Sequence, residues 1–109
     1  MSTLKEYQQC VHAWIEAHGG YWEDWALLAR MVEEVGEVAA AMQRLKGLRP
    51  RPSTEDLAAE VGDLLFILLA FANRMEIDLE EALAQTLAKY EARDSAAWKE
   101  HLAHQESFP

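Results

Sequence analysis

Apolar residues recur along this chain at i, i+3, i+4 and i+7, the spacing that places them on one face of an α-helix. The segment from Leu28 to Leu45 shows this pattern most fully, and the segment from Leu57 to Phe71 is apolar on nearly every side. No run of Val, Ile or Thr alternates with polar residues between turns, as it does in a half-buried strand. The pattern predicts helices and no strands.

Capping and turn residues give the predicted limits of these helices. Thr3 and Glu6 have the spacing of a capping box, and Gly47 is placed to end the second helix. A turn-rich stretch at residues 47–52 then separates the second helix from the third. The predicted limits are Thr3 to Gly19-Gly20 for the first helix, Asp24 to Lys46 for the second, Ser53 to about Met75 for the third and Asp78 to about Asp94-Ser95 for the fourth, with a final polar helical piece through Trp98.

Four or five helices with short connections predict an all-α bundle. The 109 residues suffice for one modest core. We predict a single helical domain over residues 1–109, with its core at about 20–98 and a polar tail at 99–109. In such a bundle the second and third helices would run antiparallel through the middle.

The chemistry of the chain is concentrated in two similar tetrapeptides, Glu34-Val35-Gly36-Glu37 and Glu60-Val61-Gly62-Asp63. Residues three apart on a helix lie one above the other, with about 5–6 Å between their Cβ atoms. Each tetrapeptide therefore presents two carboxylates on one side of its helix. We call them the first and second acidic motifs, and we expect them to face each other in the bundle.

Both acidic motifs interrupt apolar helices, so their carboxylates are expected to be shielded from water. A buried carboxylate becomes protonated or finds a positive partner. Arg30, Arg44 and Arg74 lie a turn or more from the motifs. Oxygen ligands with no nearby Cys or His therefore favour a hard divalent cation, Mg²⁺ first and Mn²⁺ or Ca²⁺ next.

Each acidic motif also contains a glycine inside a helix, where glycine costs roughly 0.8–1 kcal/mol relative to alanine. The chain accepts this cost at Gly36 and Gly62, although it is otherwise rich in alanine. Two compatible explanations are open. The glycines allow a ligand or a second backbone to approach closely, or they mark a simple helix crossing.

The composition narrows the class of protein. With 50% apolar residues and a formal net charge of −9, the chain is typical of soluble globular proteins, and its charge repels nucleic acid and anionic membrane surfaces. Its longest apolar run, Leu64 to Ala72, is shorter than the roughly 20 residues of a membrane span. Residues 1–10 lack the pattern of a secretory signal. Because Cys10 is the only cysteine, no internal disulfide can form, and we expect a cytoplasmic protein.

The number of carboxylates indicates a reactive site and not only a structural metal. Mg²⁺ commonly binds through one or two carboxylates together with waters and substrate phosphates. Two divalent ions about 3.5–4 Å apart can activate water and stabilise the leaving oxygen at a phosphorus centre. Glu33, directly before the first acidic motif, is a candidate general base or further ligand, and a solvated helix glutamate is the alternative.

The chain resembles the MazG nucleoside triphosphate pyrophosphohydrolases, all-α enzymes marked by an E-x-x-E and a later E-x-x-D. The resemblance rests on residues 27–37 and 55–63, and the 22 residues from Val38 to Ala59 are a normal interval between the motifs. It continues through Asn73, residues 77–82 and residues 89–94. The chain is most similar to the short single-domain bacterial members of this family.

The resemblance implies hydrolysis of a nucleoside triphosphate between the α and β phosphates, with the monophosphate and pyrophosphate as products, in house-cleaning of the nucleotide pool. It also implies a homodimer or a dimer of dimers. The implied Mg²⁺ ligands are Glu34, Glu37, Glu60 and Asp63. Whether Glu33 or Glu34 acts as the general base is left open.

Further residues are implied to contact the substrate. Lys89 and Arg93 would meet phosphate oxygens, with an exposed basic edge as the alternative. Asn73 would contact sugar or phosphate, or would only satisfy a backbone group. Trp22 would stack on a base, although such aromatics more often belong to a core or an interface. One departure weakens a phosphate contact near Trp98, because similar short members often carry an Arg where this chain has Ala97.

Two other classes of protein compete with this interpretation. A non-catalytic helical module could dimerise and use the acidic motifs as a structural metal site. A di-iron carboxylate bundle would require Glu-x-x-His ligands, which neither motif contains. No short signature reveals which base or sugar a nucleotide-hydrolysing enzyme of this sequence would prefer.

Overall fold

The structure is a computed structural model that describes residues 2–48 and 54–106. It contains the helices α1 (Leu4–Ala17), α2 (Asp24–Leu45), α3 (Thr54–Arg74) and α4 (Leu79–Lys89), then a π-helical turn (Tyr90–Asp94) and α5 (Ser95–Glu106). No strand occurs among the described residues. The prediction of an all-α protein of four to five helices is confirmed.

The helix limits follow the predicted capping and turn residues closely. The Thr3 hydroxyl accepts a hydrogen bond from the Glu6 backbone N–H at 3.1 Å, and the Thr3 N–H donates to the Glu6 carboxylate at 2.9 Å, so the capping box is present. Hydrogen bonding of the Glu6 carboxylate to the Thr3 backbone N–H, and to a smaller extent to the Thr3 side chain, lowers the pKa of Glu6. Gly47 follows α2 with a φ of 76°, a left-handed conformation that glycine adopts without strain. The predicted start at Ser53 lies outside the described residues.

The C-terminal part of the chain differs from the prediction in two respects. The expected break at Asp94-Ser95 is a π-helical turn that begins earlier, at Tyr90. The last helix also continues to Glu106 instead of ending near Trp98. Residues 99–106 contain no glycine or proline, so nothing in their local sequence stops the helix. The predicted polar tail is therefore helical as far as Glu106.

The chain divides into two compact units, Met1–Asp78 with α1 to α3 and Leu79–Pro109 with α4, the π-helical turn and α5. In the first unit α3 packs extensively along α2, and α1 also packs against α3. Helices α2 and α3 are antiparallel, because Glu34 meets Glu60 and Asp63 while Arg44, further along α2, meets Asp56 near the start of α3. The single domain over residues 1–109 stays a prediction.

The buried core of the first unit is small. Its apolar members are Val11, Ile15, Leu27, Ala41, Ile67, Leu69, Ala70 and Ala72. Large apolar side chains remain on the outer faces of α2 and α3, among them Val32, Val35, Val61 and Leu65, and Val32 is 66% exposed. A helix that is apolar on nearly every side, as α3 is, would be expected to be largely buried, but within a single chain α1 and α2 leave much of its surface exposed.

Among residues 2–48 and 54–106, no helix combines the length and the apolar character that a membrane span requires.

Candidate functional site

Three carboxylates from the two acidic motifs meet at the interface of α2 and α3. Glu34, Glu60 and Asp63 each offer one oxygen, and these oxygens all lie within 4.8 Å of one another. Glu34 is buried, with 5% of its surface exposed, whereas Glu60 is half-buried and Asp63 is exposed. The predicted facing of the two motifs is confirmed. Three convergent oxygen donors, one of them buried, fit a hard divalent cation.

Glu37, the fourth predicted ligand, lies outside this three-carboxylate cluster and is exposed. Its negative charge nevertheless acts on Glu60. Partial burial raises the pKa of the Glu60 carboxyl, and the charges of Asp63, Glu37 and Glu34 raise this pKa further, while Arg44 opposes them. Glu37 therefore lies close enough for its charge to act on Glu60, although it is not one of the three carboxylates of the cluster.

The sequence analysis placed every arginine too far from the first acidic motif to neutralise it, and this expectation is wrong for Arg30. Its Nη2 atom lies 2.9 Å from Oε1 of Glu34 in an i, i+4 ion pair on α2. Its Nη1 atom lies 3.6 Å from Oε2 of Glu33. One helical turn brings these side chains together, so a residue a turn away is a neighbour. Glu33 itself is exposed, which is compatible with the alternative hypothesis that it is only a solvated helix glutamate.

A cavity of about 410 Å³ adjoins the carboxylate cluster. Glu34, Asp63 and Arg30 contribute to its wall. Its aromatic lining residues are Trp14, His18, Tyr21, Trp22 and Phe66. We call this space the aromatic cavity. It joins the acidic surface of the three-carboxylate cluster to an apolar surface large enough for a small molecule.

Trp22 is therefore placed where a base-stacking role requires it, in the wall of the cavity that also contains Glu34 and Asp63. Trp25, in the first turn of α2, is 76% exposed and does not line this cavity. Two tryptophans only three positions apart therefore have different surroundings.

The other aromatic residues of the cavity were not identified from the sequence as site residues. Trp14 stacks on His18, with ring centroids 4.1 Å apart, and meets Phe66 edge-on at 5.6 Å. The His18 Nδ1 lies 2.7 Å from the Trp14 carbonyl oxygen, which can only accept, so Nδ1 carries the proton. The i, i+4 spacing of Trp14 and His18 on α1 was the available signal.

The turn after α1 brings Tyr21 and Trp22 back toward this helix. Gly19 and Gly20 have φ values of 106° and 97°, which only glycine adopts freely, and the Gly20 N–H donates to the Ile15 carbonyl at 2.9 Å. A side chain other than glycine would strain this turn and displace one wall of the aromatic cavity.

Asn73 lies at a different place in the first unit. Its Nδ2 donates to the Gln8 carbonyl at 2.9 Å, and its Oδ1 accepts from the Gln8 Nε2 at 3.0 Å. The Gln8 Nε2 also donates to the Ile77 carbonyl at 2.8 Å. These bonds join α1 to the end of α3 and supply the partners that an amide in an apolar helix requires. Asn73 does not line the aromatic cavity.

Lys89 and Arg93 belong to the second unit. Lys89 is the last residue of α4, and its Nζ lies 5.3 Å from the centroid of the Tyr90 ring. Arg93 lies in the π-helical turn, with Nε 3.4 Å from Oδ1 of Asp94. The two residues are therefore not one turn apart on a single α-helix, as the sequence analysis assumed, because the helix changes its periodicity between them.

The glycines of the acidic motifs have open surroundings. A Cβ atom added to Gly36 or to Gly62 would meet no described atom of the chain within 4 Å. The close approach of a second backbone that the sequence suggested does not occur among the described residues of one chain. Space at both glycines is left for a ligand or another molecule.

Comparison with known proteins identifies the family. A model of the MazG nucleotide pyrophosphohydrolase domain matches residues 23–98. The uncharacterized protein YpjD of Bacillus subtilis strain 168 is 37% identical over 100 residues, which cover 88% of this chain and 90% of YpjD.

Solved structures agree with this match. The crystal structure of YpjD from Bacillus subtilis has a TM-score of 0.76 at 34% identity and covers 83% of this chain and 96% of that one. The crystal structure of the Bacillus-conserved MazG protein, a nucleotide pyrophosphohydrolase, has a TM-score of 0.73 at 33% identity, with 83% and 90% covered. The matched residues 23–98 include both acidic motifs. The chain belongs to the MazG nucleotide pyrophosphohydrolase domain family.

Proposed function

We propose that this protein is a Mg²⁺-dependent nucleoside triphosphate pyrophosphohydrolase that cleaves between the α and β phosphates and releases the monophosphate and pyrophosphate. The observation that carries the proposal is the junction of the three-carboxylate cluster with the aromatic cavity. Such a junction suits a ligand with a metal-binding polyphosphate at one end and a flat base at the other. House-cleaning of the nucleotide pool is the cellular role that we propose for it.

The two acidic motifs would hold Mg²⁺, or Mn²⁺ in its place, through Glu34, Glu37, Glu60 and Asp63. The ion would supply electrostatic stabilisation of the charge that develops on the phosphate oxygens. Glu37 is exposed and lies one turn from Glu34, so its side chain is free to turn toward the cluster. Glu33 would take a proton from the attacking water, with Glu34 as the other candidate for that role.

The aromatic cavity would hold the nucleobase, with Trp22 and Trp14 as the large stacking surfaces. Its volume of about 410 Å³ lies in the usual range for small-molecule sites, roughly 300–1,000 Å³. Phosphate contacts of Lys89 and Arg93, and a substrate contact of Asn73, stay predictions from the family resemblance. The hydrogen bonds between Asn73 and Gln8 account for Asn73 without a substrate.

We further propose that the protein is a cytoplasmic homodimer or dimer of dimers. The exposed apolar side chains on the outer faces of α2 and α3 support association, because monomers rarely leave large apolar patches exposed to water. Light scattering coupled to gel filtration tests this directly. A monomeric mass at micromolar concentration would contradict it.

The activity is tested by incubating the full-length protein with Mg²⁺ and a panel of canonical, deoxy and oxidised nucleoside triphosphates, and by detecting pyrophosphate. We expect release of pyrophosphate and not of orthophosphate from at least one substrate. Asp63→Asn should abolish release, while Glu16→Gln, an exposed change on α1, should leave it unchanged. Stabilisation by Mg²⁺ without any pyrophosphate would favour the non-catalytic dimerising module instead.

Glu33→Gln separates catalysis from metal binding. If Glu33 is the general base, the variant should bind Mn²⁺ like the wild type, and its turnover should fall by about a hundredfold or more. Normal turnover in this variant would transfer the role to Glu34. A parallel loss of Mn²⁺ binding would identify Glu33 as a metal ligand.

A further inference from the structure

Arg30 contacts the three-carboxylate cluster and the aromatic cavity at the same time. Its guanidinium lies 2.9 Å from the Glu34 carboxylate and 3.6 Å from that of Glu33, and the residue also lines the cavity. Its side chain is 47% exposed, whereas the Glu34 side chain is 7% exposed. A long, half-exposed cation therefore reaches from the cavity to the most buried carboxylate of the cluster.

A divalent ion on the cluster would compete with Arg30 for the negative charge of Glu34. Without the ion, the guanidinium balances the charge of Glu34. With the ion on Glu34, Glu60 and Asp63, two positive groups would share one carboxylate and would repel each other across a short distance. The exposed side chain is the partner that can move, because the buried carboxylate is fixed between α2 and α3.

We propose that Arg30 is a phosphate-binding residue, paired with Glu34 until the metal enters and then transferred to the phosphate oxygens of the bound nucleotide. This inference rests on the function proposed above. The planar fork of a guanidinium matches two phosphate oxygens and remains charged at every physiological pH. With the base in the aromatic cavity, the polyphosphate would lie beside the carboxylate cluster in a chain of net charge −9, and Arg30 is a cation at the boundary of the two.

A purely structural role of Arg30 makes the opposite prediction for the metal. If Arg30 only orients Glu34, its removal should weaken metal binding. If it competes with the ion and then binds phosphate, its removal should strengthen metal binding and weaken nucleotide binding. The two affinities therefore move in opposite directions only under the proposal.

The experiment uses the full-length protein and two titrations. Mn²⁺ binding is measured without nucleotide. Binding of the α,β-methylene analogues of dATP, dCTP and dUTP, and of inorganic tripolyphosphate, is measured at saturating Mg²⁺. We expect Arg30→Gln to bind Mn²⁺ several-fold more tightly and to bind the best analogue about ten- to hundredfold more weakly, the loss expected for a charge-assisted hydrogen bond. Arg74→Gln, an exposed change at the end of α3, is the matched control and should alter neither affinity.

Arg30→Lys gives a second, more conservative test. It keeps the charge, so Mn²⁺ affinity should stay at the wild-type value, while the analogue should bind more weakly because lysine cannot form the two-pronged contact. Wild-type analogue affinity in either variant, or weaker Mn²⁺ binding in Arg30→Gln, would overturn the inference. A wild-type protein that binds no Mn²⁺ and no analogue would overturn the proposed function itself, so the two failures are distinguishable.

Discussion

The two acidic motifs are nearly identical in sequence and differ in their surroundings. In the first motif, Glu34 is buried and is paired with Arg30, which lies four residues before it. In the second motif, the residue four before Glu60 is Asp56, and the Asp56 carboxylate pairs with Arg44 at 3.6 Å. Arg30 thus pairs with a carboxylate of the first motif itself, whereas Arg44 pairs with Asp56, which lies outside the second motif.

This difference explains how the proposed metal site could be stable without a metal ion and still attract one. The burial of Glu34 is tolerated because a guanidinium balances its charge. Glu60 has no such partner among the described contacts, and its raised pKa reflects burial and three surrounding carboxylates. The excess negative charge around Glu60 on α3 favours a divalent cation, while the ion pair with Arg30 within α2 reduces the cost of burying Glu34.

The largest expected effect tests whether Glu37 of the first motif becomes a metal ligand, like Asp63 of the second, when Mg²⁺ binds. Glu37 holds the position in the first motif that Asp63 holds in the second, yet only Asp63 belongs to the three-carboxylate cluster. If Glu37 joins the ligands when Mg²⁺ binds, Glu37→Gln should lower kcat/KM by about a hundredfold or more, as we also expect for Asp63→Asn, since even residues that only support metal ligands are worth about 10- to 100-fold. A loss below about threefold would mean that the site uses the two motifs unequally.

Opposite changes in stability should distinguish Glu34 from Glu60 in the metal-free protein. Glu34→Gln weakens the ion pair with Arg30 and should lower the free energy of unfolding by about 1 kcal/mol. Glu60→Gln removes a charge that its neighbours oppose, so it should raise the melting temperature. Thermal unfolding in EDTA measures both, and the same sign in both variants would contradict the comparison.

The increase in stability that we expect for Glu60→Gln should depend on pH. The pKa of Glu60 is raised in the folded protein above its ordinary value of 4.5, so the fold holds this proton more tightly than the unfolded chain does. Ionisation of Glu60 therefore costs stability as the pH rises from 4.5 through the raised pKa. The variant should exceed the wild type in stability above that range and match it near pH 4, where Glu60 is protonated in both states.

Local spacing accounts for the part of this site that could be predicted from the sequence. The capping box at Thr3 and the glycine after α2 set helix limits correctly, and the i, i+3 carboxylates on two apolar helices predicted that the motifs would meet. The Arg30 contact was also within reach, because i, i+4 pairs of opposite charge are neighbours on any helix. It was not predicted because residues one helical turn apart were treated as distant from each other.

The aromatic cavity could not be predicted in the same way. Trp14, Trp22 and Phe66 come from α1, the turn after α1 and α3, so their meeting depends on how three helices pack and not on any short pattern. Trp14 lies at a helical interval from the buried residues Val11 and Ile15 of α1, yet 54% of its surface is exposed. Hydrophobic spacing shows which face of a helix is apolar, but it does not show whether protein or ligand covers that face.

The smallest expected effect concerns the glycine that the two motifs share. Gly36 and Gly62 lie inside helices with no described atom of the chain within 4 Å of an added Cβ. Gly36→Ala and Gly62→Ala should therefore each raise the free energy of unfolding by about 0.8–1 kcal/mol, the helix propensity difference. Urea unfolding measures the gain, and Ala84→Gly, the reverse exchange at an exposed position of α4, should show a loss of similar size. A different outcome is that Gly36→Ala destabilises the protein and lowers its mass in light scattering while Gly62→Ala does neither. In that case a partner chain lies against α2 at Gly36, and only the first of the two motifs lies at the subunit interface.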